Sequence, residues 1–174
     1  MACNLVQGYE ILCRDAVGGI EAVYITEFAN VPQANIAASS GVITAMTCTS
    51  GKKFFTYQME KENATYNNDI TVSVENGTTF YQSSLTFTMK KMSASMKNNL
   101  KMLAQNRLII IVKDNNGLYW VLGQTRGIDA TDIKITSGKG FGDMSGSTIT
   151  FSGKEPDFDN QLTASLITAL LTNA

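Results

Sequence analysis

Along most of this chain, apolar residues either alternate with polar ones or gather in short unbroken runs, with glycine and Asn-Gly turns between them. Both patterns predict strands. The segment Ile20–Thr26 reads as a first strand, and Phe28–Ser40, small and polar around Pro32, as a loop. Val42–Thr49 is the next strand and carries Cys48. From Lys53 the alternation sets Phe55, Tyr57 and Met59 on one face, with Thr56, Gln58 and Glu60 on the other. A polar stretch, Lys61–Asp69, leads to Ile70–Val74 and an Asn76-Gly77 turn. Thr78–Met89 alternates again, placing Tyr81, Leu85, Phe87 and Met89 opposite Gln82, Ser84, Thr86 and Thr88.

The period then changes. Met92, Met96, Leu100 and Leu103 recur at helical spacing, with Ser93 placed to cap the start and Asn106 to stop the end, which predicts an amphipathic helix over 92–105. After it, the unbroken apolar run Leu108–Val112 reads as a fully buried strand. Asp114-Asn115-Asn116-Gly117 turns it back into Leu118–Leu122, because glycine reaches positive φ without a steric penalty. Further strands follow at Ile133–Thr136 and Ser147–Ser152. In the tail, Leu162, Leu166, Ala169 and Leu170 give a weak helical stripe, fitting either a helix on the core or an arm on a neighbouring copy. The expected organisation is an arm at 1–19, a mainly β domain at 20–155 and a C-terminal segment at 156–174. The fold class is a two-sheet antiparallel sandwich or partly closed barrel flanked by one helix.

Composition narrows the chemistry. With 174 residues the chain can bury a core without staples. With a net charge of −1 the chain is no electrostatic magnet for nucleic acid or anionic lipid, although contact with DNA inside an assembly stays open. Histidine is absent, which removes the commonest general base and metal ligand. Cys3, Cys13 and Cys48 have no C-x-x-C spacing, so they read as free thiols from a reducing compartment and not as a zinc site. No apolar run approaches membrane-spanning length, and the start has no leader pattern. The expectation is cytoplasmic synthesis, with Asn63-Ala64-Thr65 and Asn76-Gly77-Thr78 not used as glycosylation sites.

Three motifs invite catalytic readings and fail. Ser137-Gly138-Lys139-Gly140 has Ile133 where a phosphate loop needs its first glycine and Gly140 where it needs the magnesium-binding hydroxyl. Gly142-Asp143-Met144-Ser145-Gly146 places its serine one position late for a nucleophile elbow. Asp129, Asp132 and Asp143 lack the alternate spacing of a calcium loop. No catalytic residue, cofactor or metal is expected. Lys90, Lys91, Lys97, Lys101 and Arg107 form a basic cluster that reads first as a solvated helix face.

The order of elements resembles the tail tube proteins of long-tailed bacteriophages, whose fold is shared with the tube protein of type VI secretion systems. The likeness rests on Gly127-Ile128, Ser137-Gly138, Gly142-Asp143, Gly146 and the run Thr150–Glu155. The opening Cys13-Arg14-Asp15 and Gly18-Gly19-Ile20 resemble virion proteins of such phages as well. The resemblance implies a structural subunit made in the host cytoplasm and carried in the virion tail. Copies would close into a hexameric ring and rings would stack into a tube that passes DNA without sequence preference. Its partners would be itself and other tail proteins, with no membrane. The candidate inter-subunit residues are Cys13, Arg14 and Asp15 in the arm, and Lys61, Glu62, Asn63, Asn76 and Gly77 in the polar excursion over 61–77. Asp157 and Phe158 in the C-terminal segment complete the set.

Two other readings compete. A head-to-tail connector or capsid-decorating protein would share this composition but stop at a ring or a monomer. A carbohydrate-binding β-sandwich would use Tyr119 and Trp120 as stacking residues, although Trp120 between Leu118 and Leu122 reads better as core.

Overall fold

The computed structural model describes residues 8–10 and 14–172. Within them the chain is mainly β, with two stacked sheets and two helices and no closed barrel. The larger sheet holds β1 (Ile20–Glu27), β2 (Ile36–Ser39), β3 (Val42–Met46), β4 (Phe55–Gln58), β7 (Leu108–Asp114), β8 (Tyr119–Leu122) and β11 (Asn160–Leu162). Their order in space is β2-β3-β11-β8-β7-β1-β4. The smaller sheet holds β5 (Ala64–Ser73), β6 (Thr78–Lys90), β9 (Asp129–Thr136) and β10 (Gly146–Glu155), ordered β5-β6-β10-β9. Helix α1 (Ala94–Gln105) joins the sheets, and α2 (Leu166–Thr172) ends the described chain. Pairing is antiparallel throughout except between β11 and β3.

Strand β7 shows why the sequence stacks this way. Its run lacks alternation because both faces are covered. Leu108, Ile110 and Val112 enter a core shared with Leu85, Phe87, Ile149 and Phe151 of the smaller sheet and with Leu100 and Leu103 of α1. Ile109 and Ile111 face the other way, into a second core with Ile43, Phe54, Leu162, Ile167 and Leu170. Each such side chain contributes about 1.5–3 kcal/mol of burial. The turn to β8 is held by Asp114, whose Oδ1 accepts from the amides of Asn116 at 2.9 Å and Leu118 at 2.8 Å. Helix α1 starts where expected, with the Ser93 hydroxyl accepting from the Met96 amide at 3.1 Å.

Several expectations need correction. The segment Phe28–Ser40 is not all loop: two turns of 3₁₀ helix, Phe28–Asn30 and Gln33–Asn35, lead into β2. Its Ile-Ala-Ala-Ser sequence carries no alternation to announce a strand. Phe54 is the fully buried aromatic of its pair, on the second-core side, while Phe55 shares the first-core face with Ile25 and Tyr57 but, on edge strand β4, stays 60% exposed. Strand β3 ends at Met46, so Cys48 lies beyond it, half-buried against the second core, where burial raises its thiol above the ordinary value.

The polar excursion is for the most part strand β5, paired along its whole length with β6. The C-terminal segment is not a detachable arm. Strand β11 sits between β3 and β8 inside the larger sheet, and α2 buries Ile167 and Leu170, while Ala169 of the expected stripe is exposed.

Candidate assembly surfaces

The expected inter-subunit residues fall in three places. Cys13 lies outside the described residues, while Arg14 and Asp15 are exposed ahead of β1. The end of the arm is stitched to the β7–β8 turn. Asn116 exchanges two bonds of 2.8 Å with the Val17 backbone, and Asn115 Nδ2 donates to the Gly18 carbonyl at 2.7 Å. Lys61 and Glu62 form the turn into β5, with Glu62 at φ 59 in the left-handed region. Asn63 works within the chain, donating from Nδ2 to the Thr88 carbonyl at 2.6 Å and accepting from the Thr88 amide at 3.2 Å.

Asn76 and Gly77 lie in the β5–β6 turn, where Gly77 takes φ 62 and Asn76 Nδ2 donates to Ser73 Oγ at 3.1 Å. Asp157 and Phe158 are exposed in the loop after β10. The structure brings this third group to the hairpin: the Phe158 ring packs on Tyr81 of β6 with centroids 4.4 Å apart.

Register explains why this hairpin stands out. On its inner face Tyr66 pairs with Leu85, Asn68 with Ser83, Ile70 with Tyr81 and Val72 with Thr79. The first of these rows ends on buried Leu85 and the second on buried Ser83. From Ile70 outward the cover stops, and Ile70, Val72 and Val74 are 50%, 62% and 90% exposed. An apolar stripe thus runs past the core to the turn.

At the root of the stripe, the Asp159 carboxylate is buried and its Oδ2 accepts from the Ser83 hydroxyl at 2.6 Å and the Tyr66 hydroxyl at 2.7 Å. Burial raises the Asp159 carboxyl above the usual carboxylate range, outweighing the lowering by its hydrogen bonds. Tyr66 is raised as well, first by burial and then by the Asp159 charge. Nearby, Glu155 Oε1 accepts from the amides of Thr125 at 3.2 Å and Arg126 at 2.8 Å, tying the end of β10 to the turn after β8.

A second surface escaped the sequence reading. Between edge strand β4 and α1 lies a groove of about 630 Å³. Its walls include Phe55 and Met102, 60% and 56% exposed, with Leu103 behind them and Lys52, Lys53 and Glu27 at the margin. The Tyr57 hydroxyl spans it, donating to Asn99 Oδ1 at 2.8 Å. No local signal joins β4 to α1, which are more than thirty residues apart. The only hint was Phe55 beside Phe54, two aromatics that cannot share one face of a strand.

The third surface is the outer face of the smaller sheet, where hydroxyls form a ladder. Thr86 bonds Thr150 at 3.1 Å, Thr88 bonds Thr148 at 3.0 Å, and Gln82 Nε2 donates to Ser152 Oγ at 3.3 Å. Its charges are mixed: Lys134 pairs with Asp132 at 3.1 Å, and Lys154 lies 5.0 Å from the Phe80 ring centroid. The expected basic cluster is dispersed, with Lys90 paired to Glu60 and Arg107 over the Phe28 ring.

The catalytic motifs tested earlier find structural uses. Asp143 Oδ2 accepts from the amides of Lys139 at 2.8 Å and Gly140 at 2.7 Å, and these bonds hold its carboxyl below the ordinary range. Among the described residues no group of three or more Cys, Asp or Glu could hold a metal ion. No described helix is long and apolar enough to cross a membrane. Comparison with protein-family models, with curated proteins and with solved structures finds no match.

Proposed function

We propose that this chain is a virion structural protein without catalytic activity, the subunit of a phage tail tube whose rings stack into a conduit for DNA. The observation that carries the reading is the apolar stripe Ile70-Val72-Val74, uncovered by any described residue, on a hairpin whose strand β5 is also a sheet edge among the described residues. A soluble domain rarely leaves both liabilities on one element unless another chain covers them. Among the described residues, strands β2, β4 and β9 are sheet edges too, so the fold offers several ladders for a neighbour to extend. Contacts of this head-to-tail kind close into rings or run on as filaments.

Two features support a conduit in particular. The hydroxyl ladder on the outer face of the smaller sheet is a wall with balanced charge, and the whole chain carries a net charge of −1. A lumen of that character does not hold phosphates against passage. The carbohydrate-module alternative loses support, because Trp120 packs against the first core and Tyr119 against the second.

Negative-stain electron microscopy of the purified chain, beside light scattering over a concentration series, tests the proposal. Hollow tubes or stacked rings are expected. Isolated rings that never stack would favour the connector reading instead. A monomer at all concentrations, even when offered preformed tail components, would overturn it.

A further inference from the structure

We infer that the β5–β6 hairpin of one copy seats in the groove between β4 and α1 of a second copy, an inference that rests on reading the chain as a self-assembling subunit. The two surfaces are complementary in chemistry. The hairpin presents Val72 and Val74, and between residues 69 and 79 its only charges are Asp69 and Glu75. The groove presents Phe55 and Met102 on its walls and Lys52 and Lys53 at its margin, against the single carboxylate of Glu27. Apolar side chains meet apolar walls while hairpin carboxylates meet lysine ammoniums.

The backbone fits the same pairing. Strand β4 ends the larger sheet and β5 ends the smaller one, so among the described residues each has a partner strand on one side only. A hairpin entering beside β4 can extend its ladder, the strand-addition mode of recognition. A second copy is the occupant because one chain carries both halves of the match. The contact joins two different patches, so each copy gives a hairpin and receives one, and the arrangement propagates. The lysine–carboxylate pairs at the rim set register and partner choice more than affinity.

The test is sedimentation velocity of the full chain over a concentration series, with circular-dichroism melts to check folding. Val72→Asp and Val74→Asp change exposed side chains, so the subunit should stay folded while association weakens by about tenfold or more. Glu75→Lys should weaken association, and Lys52→Glu with Lys53→Glu in the same chain should restore it. Association that no hairpin or groove variant disturbs would overturn the pairing and leave the self-assembly reading standing. Loss with Glu75→Lys that the groove reversal fails to restore would overturn the groove as receptor. A wild-type chain that never associates would overturn the pairing and the self-assembly reading together.

Discussion

The Tyr66 hydroxyl donates to the Asp159 carboxylate at 2.7 Å, tying the edge strand β5 to the segment that leads into β11. One buried acid thus links the two sheets at the root of the proposed docking hairpin. A carboxyl that holds its proton more tightly in the folded state favours folding in acid. That advantage is lost as pH rises from the ordinary carboxylate range through the raised value. The stability of wild type relative to Asp159→Asn, read from urea unfolding at several pH values, should therefore fall across this rise. A difference that stays flat or grows with pH would show that burial does not dominate at this site. Tyr66→Phe at neutral pH should cost about 1–3 kcal/mol, because it leaves a buried carboxyl with one hydrogen-bond partner fewer.

Helix α1 offers a contrast within two residues. Leu100 is 3% exposed in the first core, whereas Met102 is 56% exposed on the groove wall. Leu100→Asp buries an unpaired charge and should abolish cooperative folding. Met102→Asp should shift the melting midpoint little, changing stability by roughly 0.5 kcal/mol or less. Thermal melts of the two variants check this, and equal effects would mean the helix is rotated from the orientation described.

These contrasts show what the sequence could and could not announce. Local patterns sufficed where one residue type had one use: Ser93 capping α1, Asp114-Asn115-Asn116-Gly117 turning β7 into β8, and Leu108–Val112 buried on both faces. They failed where position in a sheet decided the outcome. Phe55 alternates as an inward residue should, but β4 has a neighbour on one side only. Leu162 looks helical beside Leu166 yet pairs in parallel with β3, a partner over a hundred residues earlier. The hairpin stripe was hidden for a similar reason. The sequence places Ile70–Val74 only as a short apolar segment between a polar stretch and a turn, and nothing local shows that β5 runs past the core there.

Because β11 lies between β3 and β8, cutting the chain after Glu155 should do more than remove a tail. It would take Leu162, Ile167 and Leu170 from the second core and uncover Ile43, Ile109, Ile111 and Val121. It would also detach β3 and β2 from the rest of the larger sheet. The expected product is insoluble, or soluble without a cooperative melt. A truncated chain with dispersed amide resonances and a sharp transition would restore the view of this segment as an arm.

The glycines that carry the resemblance to tube proteins differ in what they do, and substitution separates them. Gly146 opens β10 opposite Lys90, where an added Cβ would overlap the Met89 carbonyl oxygen of the neighbouring strand. Backbone cannot yield there as a flexible side chain can, so Gly146→Ala should cost about 1–3 kcal/mol by forcing β10 and β6 apart. Gly142, four residues earlier, has nothing within 4 Å of the place a Cβ would take, and its φ is not in the left-handed region. Gly142→Ala should leave stability unchanged or raise it by about 0.4–1 kcal/mol, since the unfolded chain loses freedom. Urea unfolding of both variants measures the difference. If Gly142 proved the costlier site, its role would lie in contacts that one copy of the chain does not contain. The 137–145 loop, with Phe141 wholly exposed at its tip, would then join the hairpin as an assembly element.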